Sequence, residues 1–308
     1  MNRFTRPLRL GTRGSPLALA QARAAAAGLE SAHGWDGGTV EIVPVMTTGD
    51  RVKDRSLADL GGKALWTKEL DRALLAGDVD ACVHSMKDVE SERPPAIRIA
   101  AMLERADVCD RLIGAASIDA LRQGAVIGTC SPRRTAQMLR LRPDLQMTLL
   151  RGNVETRLKK VAAGEVDATL LAAAGLDRLG IAAGAPIATD ILLPAPGQAA
   201  IGIECRADDP ETADVIAAIA HRDTVDCVTA ERAFTRALGA SCASPVAALA
   251  RIVDDKLVLR AQILSADGAD MIEGERVFER GDEAGPEALA WDMLERAPSS
   301  VRAVFEAA

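Results

Sequence analysis

A chain of 308 residues exceeds the usual single domain and fits two or three. Its apolar content of 48 % is enough for real cores, while 2 % aromatics exclude a site built on stacking bases or sugars. A net charge of −7 excludes a general attraction for nucleic acid, so any anion site has to be a local cluster of cations.

The start, Met1-Asn2-Arg3-Phe4, has no apolar signal region, and no stretch is long enough to span a bilayer. Six cysteines are scattered without a Cys-x-x-Cys pair, which argues against a zinc knot or disulfide framework and for a reducing cytoplasm. His33, His84 and His221 are far apart and suggest no metal site.

In chain order, residues 8–12 read as a strand. Ser15-Pro16 then opens an alanine-rich helix to about residue 32, with serine as N-cap and proline at the first helical position. A strand over 40–46 leads to the turn 47–50 and a polar, glycine-bearing stretch, 51–63, that reads as a loop or lid. A helix over 67–76 and a strand over 79–83 lead to His84-Ser85-Met86-Lys87-Asp88, polar side chains at a strand's carboxyl end, where open α/β sheets bind ligands. Residues 97–102 form another strand.

A second run follows, with strands over 111–114 and 125–128 and a helix from Ser131-Pro132 to about residue 142. Gly11-Thr12-x-x-Ser15-Pro16 and Gly128-Thr129-x-Ser131-Pro132 are one device used twice: a strand ends in Gly-Thr, turns, and starts a Ser-Pro-capped helix. The helix N-terminus favours an anion, and each corner carries arginine: Arg13 in the first, Arg133 and Arg134 in the second. Strand 146–150 with Arg151-Gly152-Asn153 and Arg157 makes a third. An arginine at a helix N-terminus opposes the dipole, so the repetition points to a ligand with several carboxylates or phosphates. No glycine-rich phosphate loop is present, which disfavours a nucleotide.

Strand 167–171 precedes Gly175 to Arg178. Pro194-Ala195-Pro196-Gly197-Gln198 looks like a hinge, and the apolar strand 199–204 suggests a return to the first domain. Helices over 210–220 and 225–238, a small-residue loop around Cys242, three alternating strands over 246–279 and a helix over 287–296 complete an α+β third domain. Of the cysteines, Cys130 lies beside a helix N-terminus and two arginines, a setting that activates a thiol. Cys242 lies where small neighbours would not obstruct attachment of a large group. The residues alone rank the two equally, and both below the reading in which each is an inert thiol.

Together these segments resemble the porphobilinogen deaminase (hydroxymethylbilane synthase) family nearly end to end. The matching segments are Thr12-Arg13-Gly14-Ser15-Pro16, Gly61-Gly62-Lys63, His84-Ser85-Met86-Lys87-Asp88-Val89, Gly128-Thr129-Cys130-Ser131-Pro132-Arg133-Arg134, Leu150-Arg151-Gly152-Asn153-Val154, Pro196-Gly197-Gln198 and Thr229-Ala230-Glu231-Arg232-Ala233. The resemblance implies an α/β fold: two type II periplasmic-binding-protein-like domains with a central cleft, plus a small C-terminal α+β domain. The divisions expected are 1–102 with 199–220, 106–195, and 222–308.

It implies a cytoplasmic monomer that joins four porphobilinogen molecules head to tail with loss of ammonia. Growth starts on a dipyrromethane cofactor, held by a thioether to the position matching Cys242. It further implies that Asp88 contacts pyrrole N–H groups as the catalytic carboxylate. Arg13, Arg151 and Arg157, assisted by Ser15, would hold substrate acids, and Arg178 would serve substrate binding or chain movement. Lys87, Ser131, Arg133 and Arg134 would hold the cofactor's carboxylates, with Lys63 and Trp66 near it. Departures from the family pattern are Thr48 and Asp59 where basic residues are common, Ala240-Ser241 before Cys242, and Ala199 in place of a glycine. The rival reading, a non-catalytic binding protein for a polycarboxylate, leaves Asp88 and the third domain unexplained.

Overall fold

The computed structural model of the chain describes residues 6–46 and 67–306. They form two compact units, Met1–Arg105 with Ala200–Val225, and Ala106–Ala199 with Asp226–Ala308.

In the first unit β1 (Leu8–Arg13), β2 (Val40–Val45), β3 (Ala81–Ser85), β4 (Ile97–Met102) and β10 (Ile201–Arg206) build a sheet of order β2-β1-β3-β10-β4. β1 runs parallel to β2 and β3, while β10 is antiparallel to β3 and β4. Helix α1 (Pro16–His33) lays Ala22, Ala25, Ala26 and Leu29 on Leu8 and Leu10; that three-to-four spacing makes one apolar stripe. The opposite face packs Cys82, Val79 and Ile97 against Leu70 and Leu74 of α2 (Lys68–Leu75).

The second unit repeats the plan. β5 (Asp110–Ile113), β6 (Val126–Thr129), β7 (Gln146–Leu149), β8 (Ala168–Ala172) and β9 (Ala185–Ile187) take the order β7-β6-β8-β5-β9. Again the three strands on one side are parallel and the fourth is antiparallel to both neighbours. The register repeats too: Gly11 pairs with Cys82 as Gly128 pairs with Thr169. In each sheet the antiparallel strand, β5 or β10, is the one entered after the chain crosses between units. The duplicated corners read from sequence are therefore equivalent positions in two copies of one topology.

A third sheet, β11 (Val246–Val253), β12 (Lys256–Leu264) and β13 (Met271–Phe278), is an antiparallel meander. Its first turn is Asp254-Asp255, both at positive φ, the backbone a two-residue hairpin requires. Phe234 of the helix Arg222–Ala237 and Leu289 and Met293 of the helix Ala284–Arg296 close its core. This meander belongs to the same compact unit as residues 106–199. Leu193 packs on Ala247 and Leu249, and Gln137 Nε2 donates to Gln262 Oε1 at 2.9 Å.

Three elements went unread in the sequence: the three-residue β9, the short helix Ala173–Arg178 and the terminal helix Ser299–Glu306, seated by buried Val301. β3 starts and ends two residues later than the 79–83 expected, because His84 is buried in the sheet rather than exposed at its end.

Candidate active site

The first corner of the first unit is built by local chemistry. Ser15 caps α1, its hydroxyl accepting from Ala18 N–H at 3.3 Å, and buried Thr12 donates to the Ala18 carbonyl at 3.3 Å. Arg13, half-buried, ends β1 beside this cap. Across the sheet Ser85 ends β3 and is hydrogen-bonded to Gln21 of α1, so both corners are tied to the same helix.

Lys87 and Asp88 lie on a single 3₁₀ turn, Met86–Asp88, after β3. Met86 is 2 % exposed and its N–H donates to the Ala200 carbonyl at 3.0 Å; Val89 is also buried and donates back to Met86 O at 3.2 Å. Buried residues on both sides thus fix the turn. Asp88 is half-buried, and no hydrogen bond or ion pair reaches its carboxylate among the described residues.

Beneath this turn lies a network that sequence reasoning missed. Glu204 of β10 is fully buried and accepts from Arg93 Nε and Nη2, both at 2.8 Å; His84 Nε2 lies 3.2 Å away. Arg93 also donates to Asp71 at 2.5 Å and to Glu90 at 2.9 Å. Burial alone would raise the Glu204 pKa, but His84 and Arg93 outweigh it and hold the group at about 2. Burial pushes Asp71 up from the ordinary value, against the pull of Arg93. A glutamate inside an apolar strand was the available signal, since a buried charge demands a partner.

In the second unit Ser131 caps the helix Pro132–Leu141, accepting from Arg134 N–H at 3.4 Å. The sequence reading aimed Arg133 and Arg134 at cofactor carboxylates. In the structure their own chain supplies a carboxylate: Asp110 accepts from Arg133 Nη2 and Arg134 Nη2, each at 2.7 Å, and all three are buried. Burial would raise the Asp110 pKa, but the two guanidiniums hold it well below the usual carboxylate range. Two guanidiniums on one carboxylate leave one net positive charge, and Arg133 Nε is buried without a hydrogen-bond partner.

Asp110 also accepts from Gln198 Nε2 at 3.0 Å, and Gly197 N–H donates to buried Glu231 at 2.7 Å. The segment that reads as a hinge by composition is therefore buried and anchored at Gly197 and Gln198.

Arg151 and Arg157 flank Gly152, whose φ of +122° and crowding by Thr156 require glycine. Asn153 caps the next helix, and Arg157 donates to the Gly152 carbonyl and to Cys130 Sγ, at 2.9 and 3.2 Å. Arg178 donates to the Ala199 carbonyl at 2.6 Å. Cys242 is an exposed cysteine, in no disulfide, in the loop between the helix Arg222–Ala237 and β11, whereas Cys82, Cys205 and Cys227 are buried.

The site residues expected from sequence thus divide between the units: Arg13, Ser15, Lys87 and Asp88 in the first, and Ser131, Arg133, Arg134, Arg151, Arg157, Arg178 and Cys242 in the second. Lys63, Trp66, Thr48 and Asp59 lie outside the described residues. Among the described residues no group of His, Cys, Asp and Glu could hold a metal ion, and no helix is long and apolar enough to cross a membrane.

Residues 8–214 match the family described as "Porphobilinogen deaminase, dipyromethane cofactor binding domain". Residues 225–296 match "Porphobilinogen deaminase, C-terminal domain". Porphobilinogen deaminase of Sphingopyxis alaskensis is 56 % identical over 306 residues, covering 97 % of this chain and 96 % of its own. That of Paracoccus denitrificans is 48 % identical over 299 residues, covering 95 % of each. Among solved structures, a periplasmic sulfonate-binding protein from Methylobacillus flagellatus is similar at a TM-score of 0.38 and 17 % identity, covering 68 % of this chain and 66 % of that one.

Proposed function

Because the chain belongs to the porphobilinogen deaminase family, we propose that it is the transferase that condenses four porphobilinogen molecules with one water to hydroxymethylbilane, releasing four ammonia. At each addition the C–N bond of one aminomethyl group breaks, a C–C bond forms to a free pyrrole α-carbon, and that carbon loses its proton.

The observation that carries this reading is Asp88. Its carboxylate has no partner within the described chain, and its turn is held between two buried residues. Departure of ammonia leaves positive charge on a pyrrole, and a fixed carboxylate at the ring N–H stabilises that charge and holds the mobile proton. Arg13, Arg151 and Arg157, with Ser15, bind the acetate and propionate groups of substrate, which suit bidentate guanidinium. Arg178 serves the same chain from the end of its helix.

The residues present fit a dipyrromethane group. Cys242 is an exposed thiol with small neighbours, and in the buried Asp110, Arg133 and Arg134 trio two guanidiniums share one carboxylate while Arg133 Nε is without a hydrogen-bond partner. Cys242 would hold the group by a thioether; Lys87, Ser131, Arg133, Arg134 and Lys63 would hold its carboxylates. When bound, it supplies the free pyrrole position from which growth starts. Arg133 and Arg134 act here with Asp110 attached: Arg133 Nη1 already serves Gln137 and the Leu193 carbonyl and Arg134 Nη1 the Leu170 carbonyl, so Arg133 Nε is the donor that an anion would meet.

Three domains, 1–102 with 199–220, 106–195 and 222–308, acting as a cytoplasmic monomer, complete the proposal. Its test is incubation of the purified chain with porphobilinogen, following ammonia release and uroporphyrin after oxidation. Stoichiometric ammonia with uroporphyrin is expected; unchanged porphobilinogen with a cofactor-loaded protein would end the proposal.

A further inference from the structure

The backbone on the two sides of Asp88 is held by different means. On the N-terminal side β3 is hydrogen-bonded to β10 through Ser85, and Met86 N–H continues that ladder to Ala200. On the C-terminal side residues 89–96 form neither helix nor strand. A segment of this kind is fixed by its side chains. Arg93, whose side chain is 8 % exposed, does so here.

Its guanidinium reaches three carboxylates on three separate pieces of chain: Glu204 on β10, Asp71 on α2, and Glu90, two residues past Asp88. Glu90 in turn accepts from the buried Thr67 hydroxyl at 3.0 Å. His84, two residues before the Met86–Asp88 turn, meets the same Glu204. The turn is therefore bracketed by two residues, His84 and Glu90, that converge on one buried cluster.

We infer that Arg93 is a positioning residue for Asp88, setting where the carboxylate stands by locking residues 89–93 onto Glu204 and Asp71. The inference rests on the catalytic role proposed for Asp88. A planar fork that serves three acceptors at once is a task lysine cannot reproduce, because an ammonium is a single point charge. Displacement of a reacting group by about 1 Å costs on the order of a hundredfold in rate.

The test uses Arg93→Gln, Arg93→Lys and Glu90→Gln in cofactor-loaded enzyme, with loading checked by intact mass. Arg93→Gln is expected to lower kcat about tenfold or more with KM within about threefold, and Arg93→Lys to recover part of the loss. Glu90→Gln takes the charge from the arm to the loop, alters the Thr67 contact beside it and leaves the buried Arg93–Glu204 pair, so it is expected to lower kcat with the thermal midpoint near that of the parent. Hydrogen exchange gives a readout independent of turnover: faster exchange confined to residues 86–96 is expected in both glutamine variants.

Should Arg93→Gln not fold, Glu90→Gln decides alone. A kcat within about twofold of the parent, or unchanged exchange over 86–96, would overturn the inference. Failure of the proposed function would show differently, as a parent enzyme that does not consume porphobilinogen.

Discussion

Arg178 Nη2 donates to the Ala199 carbonyl at 2.6 Å, and Ala199 itself sits at φ +70°. Ala199 is the last residue of the second unit before the chain returns to the first. An L-residue with a side chain is disfavoured there by ~1–2 kcal/mol. Burial pulls the Arg178 pKa below its ordinary value, a cost the guanidinium bears while satisfying that carbonyl. Alanine at this position therefore strains the crossing.

Ala199→Gly should relieve that strain, less the ~0.5–1 kcal/mol of extra chain entropy a glycine loses on folding. A net gain of about 0.5–1 kcal/mol is expected, read as a higher denaturant midpoint at unchanged slope. A lower midpoint would contradict the strain argument.

The 3₁₀ turn bearing Asp88 rests on Met86, and Met86 rests on Gly202 of β10. A Cβ at Gly202 would lie 2.1 Å from Met86 Sδ and 3.0 Å from its Cγ. Met86 is 2 % exposed and the approach reaches back to its Cγ, so a shift of its side chain presses on the turn that carries it. Gly202→Ala should cost about 1–3 kcal/mol by overpacking. Per unit of stability lost, it should also lower kcat more than the milder overpacking of the meander core at Gly274, where a Cβ would meet Met293 and Leu289 at 3.0 and 3.1 Å. Thermal melts and steady-state rates on both variants check this; equal losses of kcat on that scale would show that Met86 does not transmit the strain to Asp88.

What was legible in the sequence was what local chemistry determines. Ser15-Pro16 and Ser131-Pro132 announce helix starts because cap and first turn lie within four residues, and both caps form. The repetition of Gly11-Thr12 and Gly128-Thr129 was legible as a device, and the shared register shows it to be one topology used twice. What was not legible is long-range pairing. Asp110 stands over twenty residues before the arginines it binds, and nothing in Cys109-Asp110-Arg111 names them. Glu204 meets Arg93 across 111 positions, and His84 looked like a strand's polar end because its partner was not in view. β9 has only three residues, too few for an alternation to register.

Acid should expose the buried carboxylates. Glu204, held at about 2 by His84 and Arg93 against the effect of burial, is ionised in the folded state well below the unfolded glutamate value. A depressed folded pKa adds stability that is complete above the unfolded pKa and is lost as pH falls through the folded one. The window runs from about pH 5 down to about pH 2, with at most ~1.4 kcal/mol lost per pH unit for each such group. Asp80, at about 2 because Arg6 and Arg9 outweigh its burial, adds in the same direction. Asp71, raised by burial, works oppositely and softens the first part of the fall. Thermal midpoints from pH 7 to pH 3 should drop steeply below pH 5. Glu204→Gln should start lower and fall less, and a parallel curve would show that Glu204 does not carry the dependence.

Asp88 and Cys242 separate chemistry from architecture because neither supports the core. No hydrogen bond or ion pair reaches the Asp88 carboxylate among the described residues, so Asp88→Asn removes a charge without leaving a buried group unpaired. Its stability should stay within about 0.5 kcal/mol of the parent while kcat falls about 10²–10⁴-fold, the range for loss of a positioned acid–base group. Its intact mass should still include the covalent dipyrromethane. Cys242→Ser presents the converse. The thiol is exposed, so the fold should be retained. A serine hydroxyl lacks the nucleophilicity of a thiolate, so the excess mass and the turnover should disappear together. Near-parent rates in Asp88→Asn would remove its catalytic role, and an undiminished mass in Cys242→Ser would move the attachment to another thiol, with Cys130 beside Arg157 the next to replace.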